Sequence, residues 1–484
     1  MTTKPFHYFC VHGHFHQPPR GNPVTGDIGV EPDAGKYRNW NERITIESYR
    51  PNAEIGNFDR ISFDVGQALM AWLKDNAPDT YARIVQADQV HYQVKKAGNA
   101  LAGPYHDVLL PLRRVRERRC ELYWGRVAFE HHFGRQPLGI WLPELAMDMD
   151  TLELVEALGY RFIILAQGQV YDADEGAGPY WIELANGRRL AAFVRDDELS
   201  NDLSFNISAV GGAGHWARNK LARRRSDKGL LTLVATDGET FGHHHLGEER
   251  FLHWLLEHEA PATGYKVTTL EEFLMDFPPR STIGIKPFTS WGSTNSVSRW
   301  YAGWKGLLWR ALDNLSEEMT DLLRDTLRPL NIDPWRLREE YVRVDLGQID
   351  GPALLAEFAP KVNRDAEARI LALLRASMHM AKSYATNAFL FEEFERRETR
   401  YVIANAAYGL YLAEQATGID LAPGFRSDLR LVRSEEGDMD GSQVYDSVMA
   451  EYILPPPEPD EEVPEASLTD EGVTRSSSNG SGGR

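Results

Sequence analysis

Five segments in the first half of the chain run as short apolar stretches and stop abruptly on polar or turn residues: "FHYFCVHGHFH", "LGIWLPE", "FIILAQGQ", "RLAAFVRDDE" and "LLTLVATDGE". Runs bounded in this way predict buried strands. Between them, apolar positions recur at helical spacing. "ISFDVGQALMAWLKDN", residues 61–76, predicts one helix, and "RRVRERRCELYWGRVAFEHHFG" predicts a second that stops on a glycine. "DMDTLELVEALGY" predicts a third, opened by an acidic cap. Strands alternating with helices predict an α/β fold with a parallel sheet or barrel, in which chemistry gathers at the C-terminal strand ends. That rule puts His12, His14, His16, Glu144, Arg195, Asp237 and Glu239 on one rim.

Beyond residue 285 the pattern changes. "IKPFTSWGSTNSVSRWYAGWKG" is rich in glycine, serine and tryptophan, and the segments that follow are amphipathic helices such as "GLLWRALDNLSEEMTDLLRDTL". The expected organisation is a barrel-type domain over residues 1–285 and a helical domain over 286–454 with a tryptophan-rich entry. Residues 455–484, acidic and then Ser/Gly-rich, are expected to be disordered.

Composition narrows the function class. The 484 residues carry a formal charge of −18, which argues against nucleic acid or an anionic membrane as the partner. Only two cysteines occur, Cys10 and Cys120, so neither a disulfide framework nor a structural zinc pattern is present. The N-terminus "MTTKPFHYFCVHGHFHQ" has no apolar signal core, and no run is long enough to span a bilayer. A cytoplasmic protein is expected. Aromatic residues make up 11% of the chain, and their faces suit the C–H faces of sugar rings.

The strand ends carry the candidate chemistry. His12, His14 and His16 alternate, so they share one face of a strand. Such a set serves either as hydrogen-bond donors to hydroxyls or, joined by a carboxylate, as metal ligands. In "GIWLPE", Pro143 ends the ladder after Trp141 and leaves Glu144 at the strand terminus. Asp237 ends another strand in "ATDGETFGHHH", with Glu239 and His243 close behind it. Two carboxyls facing each other at about 5–5.5 Å, one ionised and one protonated, are what retaining glycoside hydrolysis uses. Arg195 in "FVRDDELSNDLSF" is placed to steady a negative charge or orient hydroxyls, and Trp291 and Trp300 to bind sugar as part of a cleft wall.

In that order "HFHQP", "GIWLPE" and "ATDGETFGHH", with "YHDVLLPL" and "FVRDDELSNDLSF" between them, resemble the motifs of glycoside hydrolase family 57. The likeness is greatest to a subgroup with a C-terminal helical domain of unknown function. It covers most of the first 310 residues and continues more weakly through "SYATNAFLFEEFERRETRYVIANAAYGL". The resemblance implies an incomplete (β/α)7 barrel followed by an α-helical bundle, acting on α-glucans with retention and without metal or cofactor. Activities in the family include α-amylase, 4-α-glucanotransferase, branching enzyme and α-galactosidase. It implies Glu144 as nucleophile, Asp237 as acid/base and Glu239 as a sugar-binding acid. The histidine motif falls on His14 and His16, with His12 and His14 as a competing register. Thr294 and Asn295 stand where relatives in the subgroup tend to carry a histidine.

Two rival readings remain. A metal-dependent deacetylase or mannosidase-like enzyme on a related barrel would use the HxH histidines and an aspartate to hold a divalent ion. A non-catalytic glycan-binding protein would have no need of both Glu144 and Asp237.

Overall fold

In the computed structural model, which describes residues 6–171, 173, 176–225, 229–292, 296–434 and 437–454, β1 (His7–Phe15) is the hub of the first half. β2 (Ser62–Val65) pairs with the C-terminal part of β1 and is followed by β3 (Ala100–Leu101). A parallel bridge from Ala102 to Ile140 carries the sheet on to β4 (Gly139–Ile140) and β5 (Phe162–Ala166). β6 (Val170–Tyr171) turns away. β7 (Tyr180–Glu183) then returns antiparallel to β8 (Arg189–Arg195), which runs parallel to β5. β9 (Leu231–Asp237) lies parallel along the other edge of β1. β10 (Tyr265–Val267) takes the part of the first edge below β2, and β11 (Gly284–Ile285) pairs with β6.

Seven parallel strands, β9-β1-β2-β3-β4-β5-β8, thus curve toward closure as an incomplete (β/α)7 barrel. The gap lies between β8 and β9. There β7 and Ala177 occupy the free edge of β8: Val194 N donates to Ala177 O, and Ala177 N donates on to Leu231 O. Only past that wedge does Asp196 N reach Leu233 O, at 2.8 Å. β5, β8 and β9 are buried almost throughout, as expected for parallel strands covered on both faces.

The helices around the barrel start and stop where local chemistry dictates. Asp148 caps Met149–Ala157 by accepting from Thr151 N. Val115–Phe133 ends at Gly134, whose φ of 72° suits a residue without Cβ. One expectation is corrected: residues 61–76 are not a single helix. "SFDV" is the strand β2, Gly66 breaks the chain, and only Gln67–Asn76 is helical. The apolar spacing fitted a helix by accident, because a buried strand and a helix face read alike over so short a run.

From Trp304 onward the described elements are helices joined by short turns and loops. Trp304–Leu327 buries Leu308, Leu312, Leu315, Met319 and Leu323 along one stripe, packing against Arg364–Lys382, which packs in turn on Arg397–Thr417. Residues 455–484, expected to be disordered, lie outside the described residues, as do Thr294 and Asn295. Among the described residues no helix is long and apolar enough to cross a membrane.

The helical part is tied to the barrel by buried polar contacts. Arg338 makes a two-pronged bond to Glu117, both legs 2.7 Å and both side chains 5% exposed. Trp124 Nε1 donates to Glu339 O at 2.9 Å, and Tyr105 Oη donates to Asp345. Replacing Arg338 with Met leaves the Glu117 carboxylate buried without its main partner, which should cost about 3–5 kcal/mol. Urea unfolding should show that loss, and the double variant Arg338→Met/Glu117→Leu should recover most of it. Equal stability of the single variant and the native protein would contradict this account of the interface.

Candidate active site

The site begins with β1, because alternate residues of one strand face the same way. His12 and His14 both reach across to Asp64 on β2, His12 Nε2 to Oδ1 at 3.0 Å and His14 Nδ1 to Oδ2 at 2.8 Å. Both imidazoles also stack on Trp141, with ring centroids 5.0 and 4.9 Å apart. The two rings nevertheless differ in charge. His12 is 0% exposed, and burial holds its pKa below the usual value, so it is neutral and donates Nε2–H to Asp64. Burial opposes charge on His14 too, but Asp64, Asp107 and Asp237 more than offset it and lift His14 to about 10. His14 is an imidazolium at neutral pH.

Glu144 follows β4 in a short turn in which Glu144 (φ 57°) and Leu145 (φ 49°) are both left-handed. Such backbone costs about 1–3 kcal/mol per residue and persists only where its surroundings impose it. Here they do: Trp291 N donates to Glu144 O at 2.9 Å, and Met147 and Thr289 exchange backbone bonds. The Trp291 indole N–H then donates to Glu144 Oε2 at 2.7 Å. Burial pushes the Glu144 carboxyl up to about 7. The Trp291 bond and Arg299 pull it down, while Asp237 and Asp107 add to the rise.

Asp237 ends β9 directly beside His14, its partner in the strand register. Gly238 follows because a Cβ there would lie 2.3 Å from the Phe15 ring. Glu239 is buried at 5% exposure. Its Oε1 accepts from Tyr49 Oη at 2.6 Å and from His16 N at 3.0 Å. Burial pushes Glu239 up to about 7, the Tyr49 bond opposing and Asp237 adding. Glu144, Asp237, Glu239 and the His14 imidazolium therefore share one electrostatic neighbourhood.

His14, His16 and Asp107 also bring three candidate metal-ligand atoms within 4.8 Å of one another. In this geometry His14 Nδ1 is bonded to Asp64 and His16 Nε2 lies 3.0 Å from Asn387 Oδ1.

Comparison with known proteins decides the family. The model for glycosyl hydrolase family 57 matches residues 37–286, and that for a domain of unknown function, DUF3536, matches residues 300–456. The chain belongs to glycosyl hydrolase family 57. It is thus a glycoside hydrolase or transferase. Similar solved structures include an exo-type maltose-forming amylase from Pyrococcus sp. ST04 (TM-score 0.71, 15% identity, 91% of this chain and 88% of that one). A branching enzyme of family 57 from Pyrococcus horikoshii gives a TM-score of 0.61 at 15% identity over 93% of this chain and 95% of that one. An α-amylase from Thermotoga maritima gives 0.54 at 15% identity over 91% and 99%. No curated protein sequence matches significantly.

Within this family-57 chain the expected residues do not all reach the cleft. His14 and His16 are partly exposed, whereas His12 and Trp141 are buried and support them from below. Arg195 is 6% exposed. It lies over the Trp291 ring at 4.9 Å, donates to Ala235 O and pairs with Asp197. His243 faces Glu47 at 2.5 Å, and it is the neighbouring His244 whose charge responds to Asp237. Trp300 does not wall a cleft: it is 1% exposed, and its carbonyl accepts from Trp309 inside the apolar core. Sequence reasoning missed Asp64, Tyr49, Asp107 and Arg299. The available signals were a lone aspartate inside the apolar run "ISFDV" and the Asp107 of "YHDVLLPL". Replacing Asp64 with Asn should bring the His14 titration down from about 10 into a readily measured range, as followed by imidazole nitrogen NMR. An unmoved titration would remove Asp64 as the source of the charge.

Proposed function

We propose that this protein is a retaining enzyme of α-glucans, hydrolysing or transferring glucosyl units with Glu144 as nucleophile and Asp237 as acid/base. The observation that carries the reading is the Glu144 carboxyl, held at Oε2 by Trp291 in the electrostatic reach of Asp237. Support for the substrate class comes from the similar structures, named as maltose-forming amylase, branching enzyme and α-amylase.

In the first step Glu144 Oε1, the oxygen not bonded to Trp291, attacks the anomeric carbon as the glycosidic bond breaks, and Asp237 gives its proton to the departing oxygen. A glycosyl ester on Glu144 results. In the second step Asp237 takes a proton from water or from a sugar hydroxyl, whose oxygen attacks the same carbon and releases Glu144. Water gives hydrolysis and a sugar gives transfer. The His14 imidazolium opposes the negative charge of the neighbouring acids and donates a hydrogen bond toward bound hydroxyls, while Glu239 accepts one.

Glu144→Gln should lower turnover of maltooligosaccharides by about 10⁴-fold or more, and Asp237→Asn by about 10²–10⁴-fold. Unchanged turnover in either variant would refute its role.

The raised value of Glu144 sets a pH test with a definite sign. A nucleophile must be ionised, so kcat/KM should rise with pH through about 7. Trp291→Phe removes the bond that favours the carboxylate and should move that limb up by about one pH unit. A limb that falls with rising pH through about 7 would instead make Glu144 the proton donor and reverse the two roles.

A further inference from the structure

Three potential ligands converge where the end of β1 meets the loop after β3. A ring nitrogen of His14, one of His16 and a carboxylate oxygen of Asp107 lie within 4.8 Å of one another. Which nitrogen each ring offers follows from what its other nitrogen does. His14 Nδ1 is bonded to Asp64 at 2.8 Å, which leaves Nε2. His16 Nδ1 has no hydrogen-bond partner and packs on Gly66, where an added Cβ would lie 2.6 Å from it. His16 therefore offers Nε2, and around that atom stand Asn387 Oδ1 at 3.0 Å and Asp107 Oδ2 at 3.5 Å.

The surroundings hold these donors in place. Asp107 keeps a left-handed backbone, φ 55°, and its carbonyl accepts from the N–H and the hydroxyl of Thr386 at 3.0 and 2.5 Å. Such backbone persists only where neighbours impose it. The Asp107 carboxylate is 14% exposed, and among the described residues His16 is its one ion-pair partner. Asp64 behind His14 is the support that usually stands behind a metal-binding imidazole, fixing one nitrogen so that the other is presented. Two imidazole nitrogens with two oxygens suit zinc and its neighbours, whereas magnesium and calcium favour oxygen alone. In a tetrahedral site with bonds of about 2.0–2.2 Å, donors stand roughly 3.3–3.6 Å apart. The distances around His16 Nε2 are already close to that spacing, and the rest close with small side-chain adjustments. His16 and Asp107 also line a cavity of about 790 Å³, which gives an ion and its water a way in.

We infer that His14, His16, Asp107 and Asn387 form a site for one divalent transition ion of the zinc class. Binding sends the protons on the two Nε2 atoms to solvent, while His14 keeps its Nδ1–H on Asp64. The helical domain, whose function is unassigned, supplies Asn387. The site itself stands apart from the glucan reading. One consequence rests on that reading: the ion takes the nitrogen with which His14 donates to a sugar hydroxyl, so zinc and substrate compete.

The test strips the protein with a chelator, then titrates it with zinc sulfate by calorimetry and with cobalt(II) by visible absorption. The native chain should take one zinc ion and give the intense bands of four-coordinate cobalt. His16→Gln should abolish both, and Asp64→Asn and Asn387→Leu should each weaken zinc by about tenfold or more. Thermal unfolding without metal shows whether each variant folds. His244→Gln, in the other histidine cluster, should leave binding unchanged. A native chain that takes no stoichiometric zinc overturns the site, and so does full binding retained by a folded His16→Gln. With maltooligosaccharides, zinc should slow the native protein and, at the same concentration, leave Asn387→Leu unaffected. Native turnover unaltered at saturating zinc overturns the competition. If the native protein turns over no maltooligosaccharide, the proposed function fails, and the zinc count alone decides the site.

Discussion

A carboxyl taken out of water needs a donor, and Glu144 receives one from the indole N–H of Trp291. The rest of the site depends on that contact. Trp291 arrives from beyond β11, in the segment leading into the helices, and the same segment bonds to the backbone of the Glu144 turn. One stretch of chain thus fixes the left-handed turn, orients one carboxyl oxygen and leaves the other free. It also makes the site a joint product of barrel and entry segment. Loosening the segment would relax the turn and let water reach the carboxyl, lowering its pKa and spoiling its aim together.

The opposite side of the site is set by β1. Its pairing with β2 delivers Asp64 to two histidines, and its pairing with β9 delivers Asp237 to the second of them. The strand register therefore sets the electrostatics. His12, sealed below, stays neutral and carries Trp141 against it, whereas His14, one step nearer the rim, is charged. Burial raises Glu144 and Glu239; the Trp291 bond and then Arg299 oppose that for Glu144, and the Tyr49 bond and then the imidazolium for Glu239.

Much of this was legible in the amino-acid order. Abrupt stops of apolar runs marked the ends of β4, β8 and β9, and the helical stripe of Trp304–Leu327 was plain from its spacing. What escaped had a physical reason. Asp64 was hidden because β2 is so short that its apolar pattern merges with the following helix. Asp107 sits in an irregular loop at φ 55°, which no periodicity announces. Tyr49 and Arg299 reach the acids from segments far away in sequence, and only tertiary packing brings them there. Trp300 misled for the opposite reason: a tryptophan-rich stretch looks alike whether it faces sugar or core. The order of three adjacent histidines could not show that His243 turns to Glu47 while His244 answers to Asp237.

The central claim is that a buried glutamate after β4 forms a bond to sugar. A 5-fluoro glucosyl fluoride, whose glycosyl ester hydrolyses slowly, should trap that bond, and peptide mass spectrometry then reads where the sugar sits. The account predicts one added sugar on the peptide containing Glu144, absent in Glu144→Gln and still present in Asp237→Asn. A label on Asp237, or steady turnover with no labelled peptide, would contradict it.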